Sequence, residues 1–280
     1  MKLLRYGQPG QEKPGLLDAK GQIRDLSGTI KDLTPDQLSP AALDKLKKLD
    51  PEKLPAVPGK PRLGACVANV PKIVAVGLNY RDHANEATMK IPTEPVLFMK
   101  AVTSMSGPND DVVLPKNSIK GDWEIELGIV IGTKAQYVSE ADALKHVAGY
   151  CIVNDVSERN FQLERGPQWM KGKSCDTFCP TGPWLVTPDE LGDPQALDVV
   201  CTVSGEVMQK GNTRDMIFNC ATIISYTSQF LTLMPGDLIA TGTPSGVGLG
   251  RNRFLKPGDS MHLTIARLGE QTQKVVAYRG

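Results

Sequence analysis

Past residue 70 the chain is written in short apolar runs separated by turn residues. The segments 72–77, 96–100, 125–132, 149–153, 199–203, 237–241 and 261–266 are rich in β-branched residues and predict strands. In the last of them Met261, Leu263 and Ile265 alternate with His262 and Thr264, the period of a half-buried strand. The run 127–131 is apolar at every position, which predicts a strand covered on both faces. Helices are fewer. Ser139 is placed to start a short one ending near Val147, and Ile217, Ala221, Ile224 and Leu231 predict a longer one over about 214–230.

The first 65 residues read differently. Small strands are expected at 2–6 and 15–18. A helix begins with Ser39 as N-cap and Pro40 in its first turn, buries Ala42, Leu43, Leu46 and Leu49 on one face, and stops at Pro51. The proline-rich stretch 51–61 reads as a stiff linker. The expected organisation is therefore a small N-terminal α/β domain (1–65) with that linker, then a larger domain (66–280). The class is mixed α+β, predominantly β.

Composition narrows the partner. In 280 residues, 32 Lys and Arg face 31 Asp and Glu, so no broad field favours nucleic acid or an anionic membrane. A small molecule is the expected partner. The six cysteines form no CxxC pair and read as reduced thiols; Cys175 and Cys179 lack the second Cys/His pair that zinc would need. Without an apolar leader at the start, or a run near the ~20 residues that span a bilayer, the cytoplasm is the expected compartment.

Acidic residues punctuate the strands. Asp122, Glu124 and Glu126 alternate along one strand and are expected to share a face, and Asp155 ends another apolar run. Buried at close quarters, such carboxylates ionise together only around a cation, and hard oxygen donors suit Mg²⁺, Mn²⁺ or Ca²⁺. The plainer alternatives are a solvated edge strand and an Asn-Asp turn. Arg159 and Gln162 are three apart and would share a helical face beside Asp155. Lys173, in a glycine-containing stretch, is either an anion-neutralising group or a surface lysine. His83 and Glu86, spaced i, i+3, make a plausible general base or an exposed surface pair. His146 and His262 look structural. The glycine-rich loop 241–250 fits no nucleotide motif; its N–H groups and the Thr243 hydroxyl suit a carboxylate.

The order of these blocks is more specific than any one of them. N-Y-x-x-H-x-x-E at Asn79 is followed by P-x-x-F-x-K at Pro95, then E-x-E at Glu124 leading into G-x-V-I-G. N-D-V-S-x-R-x-x-Q at Asn154, the Lys173-Ser174 pair and T-G-T-P-x-G-V-G at Thr241 complete the series. Over roughly residues 70–280 the chain resembles the fumarylacetoacetate hydrolase family. The resemblance implies a rolled β core and a homodimer. It implies a divalent metal, Mg²⁺ first and Mn²⁺ or Ca²⁺ as alternatives, on Glu124, Glu126 and Asp155. It makes Lys173 the active-site lysine, His83 and Glu86 a pair on a lid, and Arg81, Arg159, Gln162 and Thr243 substrate contacts. Animal members add an acidic ligand seven residues before the histidine; Val76 stands there, so water or substrate would complete the shell.

The N-terminal block from Leu3 to Gly7 and the stretch from Gly172 to Phe178 look like the bacterial ureidoglycolate lyase and 2,4-diketo-3-deoxy-sugar-acid hydrolase branch. The expected activity is hydrolysis of a C–C bond in a small 2,4-dioxo acid, releasing pyruvate. Ureidoglycolate cleavage, oxaloacetate decarboxylation and isomerisation are alternatives on the same site. A non-catalytic metal-binding protein is a further one, disfavoured by the His83–Glu86 pair.

Overall fold

The structure is a computed structural model that describes residues 1–82 and 90–280. It is a mixed α+β fold dominated by strands, as the hydrophobic pattern predicts. The larger sheet runs, in spatial order, β3 (Ile23–Asp25), β2 (Lys13–Leu17), β1 (Lys2–Tyr6), β13 (Cys179–Val186), β11 (Val147–Asn154), β10 (Ile125–Ile131), β16 (Leu238–Ala240), β5 (Ile73–Gly77) and β6 (Val96–Lys100). The short strands β4 (Leu63–Gly64) and β7 (Met105–Ser106) pair with β1 and β13. The smaller sheet runs β15 (Glu206–Asn212), β14 (Asp198–Val203), β17 (Ser260–Ile265), β18 (Gly269–Ala277) and β8 (Val112–Leu114). A two-stranded ribbon joins β9 (Gly121–Asp122) to β12 (Ser157–Glu158).

Every residue of β10 is buried, so the expected double cover holds. Its odd-numbered residues Ile125, Leu127, Ile129 and Ile131 enter the core shared with Val199, Cys201, Leu263 and Ile265 of the smaller sheet. Val130 points the other way, into a cluster with Leu3, Leu33, Ala148 and Cys151. By the two-residue period, Glu126 shares the face of Val130. A carboxylate placed there must find partners inside the protein.

The N-terminal strands continue the same sheet, since β1 pairs antiparallel with β13. Helix α1 (Pro40–Lys47) starts where predicted: the Ser39 side chain accepts from the Ala42 N–H at 3.2 Å. It buries Leu43 and Leu46 in the cluster that holds Ile73 and Cys151. The proline-rich stretch lies along β3, with Asp25 N donating to Pro55 O and Val57 N to Ile23 O, each at 2.8 Å.

The helix expected over 214–230 is shorter, Cys220–Thr227, and a 3₁₀ turn, Thr213–Asp215, precedes it. The break has a non-local cause. Asn79 takes the N–H of Ile217 on its carbonyl and the N–H of Phe218 on its side-chain oxygen, both at 2.8 Å. That contact holds the chain away from helical geometry until Asn219 caps the helix by accepting from Thr222 N. Among the described residues no helix is long and apolar enough to cross a membrane.

Candidate metal and substrate site

Antiparallel pairing of β10 with β11 sets Ile125 opposite Asn154, so the start of one strand meets the end of the other. Glu124 sits just before β10, Glu126 within it and Asp155 just after β11. The Asp155 N–H donates to Glu124 O at 2.9 Å, which fixes the crossing. One carboxylate oxygen from each of Glu124, Glu126 and Asp155 lies within 4.8 Å of the others, and all three residues are buried.

Three buried cations compensate this charge. Lys173 Nζ donates to Asp155 Oδ2 at 2.7 Å and to Glu124 Oε2. Arg159 donates to Asp122 Oδ2 at 2.7 Å, Glu124 Oε1 at 2.6 Å and Gln162 Oε1 at 2.9 Å. Lys100 Nζ donates to Asp155 Oδ1 at 2.6 Å, to Val156 O at 3.3 Å and to the backbone carbonyl of Lys173. Burial opposes the charges on Arg159 and Lys173, but the facing carboxylates outweigh it and hold both above their ordinary values.

Glu126 is the exception. Burial pushes its carboxyl well up, and Asp155 and Glu124 push it further. Its partner is the Gly242 N–H, which donates to Oε2 at 2.8 Å. With Asp122, four carboxyl groups lie beside three buried bases, and among the described residues those bases pair with Asp122, Glu124 and Asp155 while Glu126 takes the Gly242 N–H. The donor set, three clustered carboxylates, fits a hard divalent cation such as Mg²⁺, Mn²⁺ or Ca²⁺.

Of these acids, Glu124 and Glu126 line a cavity of about 80 Å³. Arg159, Gln162, Lys173 and Thr243 line it together with Val76, Leu78, Phe98, Leu163, Trp169 and Leu249. Gly172 lets the turn carrying Lys173 press against a single π turn (Asn160–Glu164): a Cβ there would sit 2.6 Å from Gln162 N. Gln162 therefore arrives on a π turn beside Arg159.

The glycine-rich loop does hold a carboxylate, and it is the protein's own. Gly242 has φ +97°, and a Cβ would come 2.7 Å from Asn79 Cβ, so only glycine lets this N–H reach Glu126. Thr243 Oγ1 donates to Ile125 O at 2.8 Å and accepts from Gln209 Nε2 at 2.7 Å. Asp122 departs from the expected shared face. It belongs to β9, and besides Arg159 it accepts the N–H groups of Trp123, Gly248 and Leu249 at 2.8, 2.6 and 2.9 Å. Arg81 is exposed and lies outside the cavity lining. His83 and Glu86 lie outside the described residues. His146 contacts Thr133, and His262 contacts Thr272 and Glu270, structural placements as expected.

Lys100 is the participant that sequence reasoning missed. It is the lysine that ends the P-x-x-F-x-K block, and its burial and its bond to Asp155 give it a role the block alone did not.

The fold is shared with known proteins. Residues 72–276 match the family described as fumarylacetoacetate (FAA) hydrolase C-terminal. A 2,4-didehydro-3-deoxy-L-rhamnonate hydrolase from Sphingomonas sp. is 58% identical over 282 residues, covering 100% of this chain and 97% of its own length. The fumarylacetoacetate hydrolase structure from Exiguobacterium antarcticum superposes with TM-score 0.86 at 34% identity, over 99% of this chain and 100% of its own. Maleylpyruvate hydrolase from Sphingobium sp., solved with manganese(II) and pyruvate, has TM-score 0.84 at 29% identity over 100% of both chains. The chain belongs to the fumarylacetoacetate hydrolase family.

Proposed function

We propose that this chain is a Mg²⁺-dependent hydrolase that cleaves the C3–C4 bond of a small 2,4-dioxo acid, an acylpyruvate or a 2,4-diketo-3-deoxy sugar acid, and releases pyruvate. The observation that carries the reading is the cluster of three buried carboxylates with Lys173 bonded to two of them. The relative that acts on a 2,4-didehydro-3-deoxy sugar acid, and the solved one with manganese and pyruvate bound, support it.

A divalent cation on Glu124, Glu126 and Asp155 would supply Lewis-acid polarisation of the 2-oxo group. The remaining chemistry belongs to side chains. His83, partnered by Glu86, takes a proton from the water that attacks C4. The water oxygen stays on C4 as the new carboxylate. The C3–C4 electron pair leaves with the three-carbon fragment as an enolate, and protonation at C3 gives pyruvate. Lys173 faces that developing charge, held in place by Glu124 and Asp155. Gln162, its oxygen bonded to Arg159, offers its amide N–H groups to the substrate. The working form is proposed to be a cytoplasmic homodimer.

The test is pyruvate release with and without Mg²⁺ from acylpyruvates, 2,4-diketo-3-deoxy sugar acids and oxaloacetate, with ureidoglycolate followed through its own products. Metal-dependent pyruvate from the dioxo acids alone supports the reading. Turnover confined to ureidoglycolate or oxaloacetate replaces it with a lyase. On a cleaved substrate, His83→Ala should lower kcat by about 10²–10⁴-fold, and an unchanged kcat removes the base assignment.

A further inference from the structure

The cavity has a charged inner end and an apolar outer one. Glu124, Glu126 and Lys173 are 5%, 2% and 2% exposed and lie deep, whereas Leu163 and Leu249 are 46% and 39% exposed and form the rim. Val76, Gly77, Leu78, Phe98 and Trp169 line it as well, with the buried Arg159, Gln162 and Thr243. Trp169 closes against Gly77, where a Cβ would lie 2.8 Å from its ring, and meets Phe98 edge-on at 5.5 Å.

The cations that reach the cavity are already engaged: Lys173 bonds Glu124 and Asp155, and Arg159 bonds Asp122, Glu124 and Gln162. Arg81, exposed, is not part of the lining. Among the described residues, nothing along the outer half offers a positive charge to a second carboxylate. A carboxylate buried there without a partner would carry a large desolvation cost, whereas a methyl or short alkyl end would gain from these walls.

From this we infer that the substrate is a monocarboxylate whose far end is small and uncharged, and that dicarboxylates of the same length are rejected. The inference rests on the proposed function for the position of the oxo-acid end, at the acidic cluster.

The test uses a matched pair, 2-oxohexanoate and 2-oxoadipate, which differ only in a terminal methyl against a terminal carboxylate. Calorimetric titration of the full chain in excess MgCl₂ should give a Kd about 10²-fold lower for 2-oxohexanoate. Leu249→Lys, a rim substitution on an exposed side chain, should narrow that gap by about tenfold by tightening 2-oxoadipate. Comparable affinities for the two acids, tighter 2-oxoadipate, or failure of both to bind would overturn the inference. Turnover separates it from the functional reading. If 2-oxohexanoate shows the preference while 2,4-dioxohexanoate is not cleaved, the specificity stands and the hydrolase assignment falls.

Discussion

The ammonium of Lys100 donates to the backbone carbonyl of Lys173, so one buried lysine holds the peptide that carries the other. Lys100 also grips Asp155 Oδ1, while Lys173 takes Oδ2 of the same carboxylate. Asp155 is thereby fixed from both sides. Lys100→Met removes the charge but keeps much of the apolar stem, leaving Asp155 short of a partner in the interior. Breaking one side of a buried pair costs about 3–5 kcal/mol, which denaturant unfolding of the metal-free protein should read. Adding Asp155→Asn should recover part of that loss, because the two changes share one interaction. Strict additivity of the two would rule out the coupling.

Asp122 separates a ligand from a supporting residue. Its four donors, Arg159 and the N–H groups of 123, 248 and 249, use both of its oxygens. Asp122→Asn must turn an NH₂ group toward two of these donors, since each oxygen accepts from two. The expected loss is about 2 kcal/mol of stability, with Mn²⁺ affinity, followed by electron paramagnetic resonance, held within about threefold. A Mn²⁺ site lost to the same degree as in Asp155→Asn would make Asp122 a ligand.

Much of this site is written locally. An apolar run that ends in acids reads as a buried strand with charge at its mouth, and Glu124, Glu126 and Asp155 do converge. The spacing of Arg159 and Gln162 likewise places them in contact, at 2.9 Å. What stayed illegible depends on distant partners. The apolar spacing over 217–231 is real for Cys220–Thr227, but Asn79, far along the chain, breaks the helix before it. Lys100 ends the segment Val96–Lys100 as any surface lysine might, until pairing of β6 with β5 delivers it beneath Asp155. The Asp122 alternation is a correct period applied one residue too far, since β9 turns aside to pair with β12.

Removal of divalent ions should have a specific signature. Exhaustive chelation leaves three clustered carboxylates without the cation that their geometry suits. Activity should fall by at least about 10²-fold and return with Mg²⁺ or Mn²⁺. The melting temperature should rise with Mg²⁺ concentration, because an ion at 100 times its Kd contributes about 2.7 kcal/mol. Full activity in the chelated protein would dismiss the metal from the reaction.

Glu126→Gln tests what the acidic cluster is for. Burial and the neighbouring Asp155 and Glu124 disfavour the charged form of Glu126, while the Gly242 N–H can still donate to an amide oxygen. The neutral glutamine therefore spares the metal-free protein the cost of burying that charge or of holding the carboxyl protonated. Without metal, the variant should unfold at the same temperature as the native chain or a higher one. With saturating Mg²⁺ the order should invert, since a carboxamide is a poorer ligand for a hard dication and the metal-induced rise should largely vanish. Calorimetric melting at graded Mg²⁺ reads both halves. A variant less stable without metal, yet still stabilised by Mg²⁺ like the native chain, would make Glu126 a structural acid and leave the cation to other residues.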